Sequence, residues 1–163
     1  MTKPERITSS IKIAVIDDDA NLRNGLWWLL HHIAGLECVG AYAGCKEFLA
    51  QENFPLDVLL LDVAMPGISG LDGVRLIKAR YPALKIIMHS NFDDESKIMR
   101  AQRLGAAGYV LKNASAPQLH EAILAAARGE SVWPFGFERN ALSAAPPSLW
   151  QMLAQKLRIL FIK

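Results

Sequence analysis

The chain has 163 residues, 52% of them hydrophobic and 21% charged, a balance that excludes an intrinsically disordered polymer and suits one domain with a short extension. Its formal net charge is +2, split between 14 Lys and Arg against 15 Asp and Glu in residues 1–133 and four against one in residues 134–163. The main part therefore offers no broad basic surface for nucleic acid, and no apolar run approaches the roughly 18 residues of a membrane span.

The first ten residues carry Lys3, Glu5 and Arg6 without an apolar core, so they read as an N-terminal extension and not as a secretory signal. Ile11–Ile16 reads as a strand that ends in Asp17-Asp18-Asp19. Apolar residues at 22, 26, 29, 30 and 33 give helical spacing to a segment starting at Ala20 and running to His32. Cys38–Ala43 reads as a short strand and Lys46–Gln51 as a short helix. Asp57–Asp62 is a continuous apolar run between carboxylates, as expected of a strand covered on both faces. Met65-Pro66-Gly67-Ile68-Ser69-Gly70 reads as a loop, followed by a helix from Leu71 to Arg80 that Tyr81-Pro82 stops.

The alternation continues with a strand over Leu84–His89, a helix over Asp93–Leu104 closed by Gly105, and a strand over Gly108–Leu111. Ser115-Ala116-Pro117-Gln118 has the form of a capping box and opens a helix to Arg128. Five βα units in residues 11–128 predict an α/β domain, a doubly wound five-stranded parallel sheet with helices on both faces. Residues 131–147, with Pro134, Gly136, Pro146 and Pro147, read as a linker. Residues 148–163 return to helical spacing through Leu149, Met152, Leu153, Leu157, Leu160 and Phe161, an amphipathic tail helix with Ser148 as its N-cap.

In such a sheet, chemistry gathers at the carboxyl ends of the strands. Asp17 and Asp18 close the first strand, Asp62 the third, Ser90 the fourth and Lys112 the fifth. Three clustered carboxylates repel unless a cation or protons join them, and Mg²⁺ suits an all-oxygen set. With Lys112 beside them, one carboxylate could attack a phosphoryl group while the cations neutralise its equatorial oxygens. Ser90 could then hydrogen-bond the product.

Competing readings carry less. Gly67, Gly70 and Gly73 lack the spacing of a phosphate loop and no Walker lysine follows, so Gly67 and Gly70 are read as loop residues. His31, His32, His89 and His120 form no spaced zinc set. Cys38 and Cys45 form no CxxC pair and read as buried thiols in a reducing cytoplasm. Of Trp27 and Trp28, one is expected to pack on the sheet.

The chain resembles a response-regulator receiver domain of two-component signalling, of the NarL/LuxR type. The resemblance rests on Val15-Ile16-Asp17-Asp18-Asp19 with Arg23, on Leu60-Leu61-Asp62-Val63-Ala64-Met65-Pro66-Gly67-Ile68-Ser69-Gly70, on Ile87-Met88-His89-Ser90 and on Gly108-Tyr109-Val110-Leu111-Lys112-Asn113-Ala114. It covers residues 11–130 and implies a flavodoxin-like (CheY-like) fold. It further implies Asp62 as phosphoacceptor, Mg²⁺ held by Asp17, Asp18, Asp62 and the backbone carbonyl of Ala64, and Lys112 paired with the phosphoryl group. Ser90 would be the switch hydroxyl and Tyr109 the switch aromatic, turning inward on phosphorylation. Ala64 and Phe92, two residues after Asp62 and Ser90, cannot orient a hydrolytic water, which predicts slow self-dephosphorylation. The implied phosphodonor is a sensor histidine kinase or a phosphotransfer protein.

In regulators of this type a linker leads to a helix-turn-helix domain, and 16 residues after Pro147 are too few for one. Direct DNA binding is therefore not expected of this chain. The tail helix is read as folding back, as a homodimer contact or as a partner contact, with a membrane surface as the weakest option. Rival functions are a pseudo-receiver used as an interaction module, a truncated LuxR-type regulator, a phosphatase on a similar fold, disfavoured by Ala64, and a flavin module, disfavoured by the aspartates.

Overall fold

The computed structural model describes residues 10–52 and 55–134. The expected tail helix over 148–163, most of the linker and nearly all of the N-terminal extension lie outside those residues. The described elements alternate in chain order: β1 (Ile11–Ile16), α1 (Ala20–His31), β2 (Leu36–Tyr42), α2 (Cys45–Leu49), β3 (Val58–Asp62), α3 (Gly70–Arg80), β4 (Lys85–Ser90), α4 (Glu95–Arg103), β5 (Gly108–Leu111) and α5 (Ala116–Ala127). The five strands form one sheet in the order β2-β1-β3-β4-β5, every pairing parallel. The order reverses between β1 and β3, so their carboxyl ends flank the switch point.

Side-chain alternation along each strand divides the core into two layers. Ala14, Ile16, Leu59, Leu61, Ile86, Met88 and Tyr109 pack with α2, α3 and α4 through Phe48, Val74, Ile77, Ile98 and Ala101. Ile13, Val15, Val58, Leu60, Ile87 and Val110 pack with α1 and α5 through Leu26, Leu30, Leu119 and Ile123. The central strand β3 is buried at all five positions, which is why its run is apolar without a break.

Caps set most helix starts. Asp19 accepts from the N–H groups of Asn21 and Leu22, Ser69 from Asp72, and Asp94 from Ser96 and Lys97. Asp94 is thus a cap, and α4 starts at Glu95, two residues later than the apolar spacing predicts. The box at Ser115 and Gln118 forms with both of its hydrogen bonds.

Three expectations change. Gly70 is the first residue of α3 and not part of the preceding loop. Trp27 and Trp28 are both exposed, at 42% and 59%, because Leu26 and Leu30 take the sheet-facing positions of α1. Each indole instead stacks on a histidine four residues on, Trp27 on His31 and Trp28 on His32. Finally, the chain after α5 does not leave the domain at once. Val132 makes a parallel bridge with Gly108, donating to the Ala107 carbonyl at 3.0 Å and accepting from the Tyr109 N–H at 2.7 Å, and Trp133 is buried against the α4 side of the core. Cys38 and Cys45 are buried free thiols as expected, and burial pushes the Cys45 thiol up to about 11.

Candidate functional site

The carboxyl ends of β1, β3 and β5 converge on a buried ionic cluster. Asp17 is 1% exposed and Asp62 3%. Lys112 Nζ lies 2.8 Å from Asp17 Oδ2 and 3.1 Å from Asp62 Oδ2. Strand alternation explains the meeting: these side chains follow Ile13, Val15, Leu60 and Val110 onto the α1/α5 face. The backbone then fixes each one. Asp17 Oδ1 accepts from the Asp19 N–H at 2.9 Å, and Asp62 Oδ1 from the Ala64 N–H at 3.2 Å. Arg23 Nη1 donates to the carbonyl of Asp17 at 2.7 Å, tying the acidic loop to α1. The Lys112 N–H donates to the Ser90 carbonyl at 2.6 Å, so β4 positions the lysine's own backbone.

Burial pushes the Asp62 carboxyl above the usual carboxylate range; hydrogen bonds from Lys112 and Ala64 oppose the shift and the Asp17 charge adds to it. Burial works against the Lys112 charge, but its bonds to Asp17 and Asp62 outweigh it and hold the ammonium above the ordinary lysine range. One ammonium thus serves two buried carboxylates.

Asp17, Asp18 and Asp62 each bring a carboxylate oxygen within 4.8 Å of the others, Asp18 from the exposed side. Among the described residues, buried Asp17 Oδ2 has the Lys112 ammonium beside it at 2.8 Å and no other hydrogen-bond donor. A surplus of negative charge, an oxygen-only donor set and an open side at Asp18 fit a hard divalent cation. Ala64 is tied to Asp62 through its N–H bond.

Ser90 and Tyr109 fall on the other face of the sheet. Ser90 is buried, and its Oγ accepts from the Phe92 N–H at 3.2 Å. Tyr109 is 2% exposed and its hydroxyl donates to the Phe92 carbonyl at 2.8 Å. The ring therefore points inward here, in the orientation that the family resemblance assigns to the phosphorylated form. Burial raises the Tyr109 pKa, opposed by a hydrogen bond with Ser90. The Phe92 side chain is 69% exposed at the rim.

Two residues that stand in the sequence motifs without a site role turn out to line the site. A Cβ at Gly70 would lie 1.9 Å from the Asp62 carbonyl oxygen, so glycine lets α3 start directly against the Asp62 backbone. His89, opposite Asp62 in the β3–β4 register, is 4% exposed and lines a cavity of about 210 Å³ between α1 and α5 together with Lys112. Burial, reinforced by Lys112, pushes its pKa down to about 4 against the pull of Asp17. The parity of β4 was the available signal for His89; the Gly70 clearance had none.

Known proteins resemble this chain in sequence and fold. The profile of the response regulator receiver domain family matches residues 13–124. The oxygen regulatory protein NreC of Staphylococcus aureus is 37% identical over 123 residues, covering 74% of this chain and 57% of that protein. An uncharacterized transcriptional regulatory protein of Bacillus subtilis, YxjL, is 34% identical over 125 residues, covering 76% and 57%. This chain thus matches a little over half the length of these curated relatives. Among solved structures, a LuxR-family two-component response regulator from Aurantimonas sp. SI85-9A1 superposes with a TM-score of 0.73 at 25% identity, over 83% of this chain and 98% of that one. The receiver domain of the putative response regulator NarL from Mycobacterium tuberculosis gives 0.66 at 25% identity, over 75% and 99%. With the 2-1-3-4-5 parallel sheet and the acid–lysine cluster at its switch point, the chain belongs to the response regulator receiver domain family.

Proposed function

We propose that this receiver accepts a phosphoryl group on Asp62 from a phosphohistidine of a sensor histidine kinase or a phosphotransfer protein. One observation carries the reading: a single lysine ammonium bridges Asp17 and Asp62 in a buried pocket whose third carboxylate, Asp18, stands at the open side. In the transfer, a new P–O bond forms to the Asp62 carboxylate as the donor's P–N bond breaks, and the imidazole leaves with its electron pair. Lys112 holds positive charge where the phosphoryl oxygens arrive. The Ala64 N–H orients Asp62, and the Asp19 N–H orients Asp17. Asp17, Asp18, Asp62 and the Ala64 carbonyl would hold Mg²⁺, which supplies charge neutralisation for the transferred group.

Ser90 is the group that would turn to a phosphoryl oxygen, with Tyr109 responding beside it. The domain acts as a signalling switch and not as a turnover enzyme, because no acid or base stands at Ala64 to activate water. A cytoplasmic setting suits a kinase-fed switch, and among the described residues no helix is long and apolar enough to cross a membrane. The similarity to transcriptional regulators supports a role in transcriptional control exercised through further domains or partners, with self-association as one route.

The test is intact-protein mass after incubation with acetyl phosphate, with and without Mg²⁺, beside Asp62→Asn. One phosphoryl adduct that needs Mg²⁺ and is missing from the variant is expected. An adduct retained in the variant would move the acceptor elsewhere. No adduct in the parent protein would leave an interaction module of constant shape.

A further inference from the structure

We propose that Ser131–Pro134 is a strap whose docking on β5 is set by the Ser90–Tyr109 pair, so that the state of the site is passed along the main chain toward the C-terminal side. Its trigger rests on the reading of Asp62 above; its mechanics do not.

Three hydrogen bonds run in series from the site to the strap. The Phe92 N–H donates to Ser90 Oγ at 3.2 Å, the Tyr109 hydroxyl donates to the Phe92 carbonyl at 2.8 Å, and the Tyr109 N–H donates to the Val132 carbonyl at 2.7 Å. Tyr109 is therefore held by its side chain to the loop that follows Ser90 and by its backbone to the strap. A Ser90 hydroxyl that turns to a phosphoryl oxygen deprives the Phe92 N–H of its acceptor. The Tyr109 hydroxyl, released from its own bond with Ser90, is then left to the Phe92 carbonyl, which fixes the inward ring and, through the Tyr109 N–H, the docked strap.

The strap is built to dock weakly. Val132 contributes both of its ladder bonds, the second from its N–H to the Ala107 carbonyl at 3.0 Å. Pro134 has no N–H, so the ladder cannot extend past it. The seat is specific nonetheless: a Cβ on Gly108 would stand 2.5 Å from the Val132 carbonyl oxygen, so glycine is what admits the strap to the edge of β5. Trp133 is 9% exposed and shares the apolar cluster of Tyr109, Ile98 and Ala101. Its indole N–H is buried without an acceptor among the described residues. Apolar burial favours the docked strap, while the stranded donor favours release to water. Such opposed terms leave an equilibrium that a small change at Tyr109 can tip.

The experiment is amide hydrogen exchange on the full chain, read at Val132 and Tyr109. Tyr109→Phe keeps the ring and removes the hydroxyl's bonds to the Phe92 carbonyl and to Ser90; it is expected to speed exchange at Val132 about tenfold while amides of β1 and β3 keep their protection. Trp133→Phe keeps the apolar anchor and removes the stranded donor, and it is expected to slow exchange at Val132. Beryllofluoride with Mg²⁺ favours the inward ring that carries the strap and is expected to slow exchange at Val132 in the parent protein. Unchanged Val132 exchange in Tyr109→Phe, with β1 and β3 protected, overturns the strap. Failure of beryllofluoride to bind strikes the Asp62 reading instead, and the two substitutions then decide the strap by themselves.

Discussion

Asp62 is held where its ionised form costs most, nearly dry and beside a second carboxylate. Its raised pKa means that the folded protein binds this proton more tightly than the unfolded chain does. Stability from this residue is thus present at low pH and is lost as pH rises above the ordinary carboxylate value. Asp62→Asn should therefore stabilise the metal-free domain at neutral pH, by about 1–2 kcal/mol in a denaturant melt, even as it removes the phosphoryl adduct. Gly70→Ala should do the reverse. Its Cβ would collide with the Asp62 carbonyl oxygen, a backbone atom that cannot swing aside, so a loss of about 2–3 kcal/mol is expected together with weakened phosphorylation. Ala64 addresses lifetime. Its methyl group offers a water nothing, and Phe92 presents an exposed ring. The acyl phosphate should persist for minutes or longer in the purified protein, and Ala64→Asn, which supplies a donor and an acceptor beside it, should shorten that lifetime about tenfold in a phosphate-release assay.

At the scale of elements, the caps separate site geometry from helix stability. The Asp19 side chain caps α1, while its backbone N–H holds Asp17. Asp19→Ala should cost about 1 kcal/mol in a thermal melt and leave phosphorylation of Asp62 intact, because the bond to Asp17 comes from the main chain. Elements of this kind are legible without coordinates. The unbroken apolar run of β3, the 3.6-residue spacing of α1 and the box at Ser115 each state a local rule that the fold obeys. Asp17, Asp18, Asp62 and Lys112 are legible for a related reason: parallel strands bring their carboxyl ends to one edge, whatever the loops between them do. The tryptophans of α1 could have been placed from the same periodicity, since 27 and 28 fall off the stripe of 22, 26, 29, 30 and 33. Trp133 could not. It follows Val132, a single bridged residue with no period to detect, whose seat depends on a missing Cβ at Gly108, twenty-four residues before it in sequence. The shared hold of Ser90 and Tyr109 on the Phe92 backbone likewise depends on how one loop turns.

For the molecule as a whole, two buried titrating groups oppose each other across one register position. His89 is neutral in the fold because burial and the Lys112 charge push its pKa down to about 4. A depressed folded pKa means that its contribution is fully present above the unfolded histidine value of about 6.5 and is lost as pH falls toward 4. The loss is at most about 3 kcal/mol. Asp62 moves the other way over the same descent, because its proton returns and relieves the buried charge. The metal-free domain should therefore weaken from pH 7 to pH 4 with a slope that is the difference of the two. His89→Leu, which fills an apolar-lined cavity without a titrating group, should flatten that slope or invert it. Asp62→Asn should steepen it, since the compensating gain is gone. Chemical denaturation of the three proteins at pH 7, 5.5 and 4.5 in chelator reads all three slopes. Equal slopes in the parent and His89→Leu would mean that the imidazole takes up its proton in the fold as it does in the unfolded chain, with the pull of Asp17 cancelling burial and Lys112 at that position.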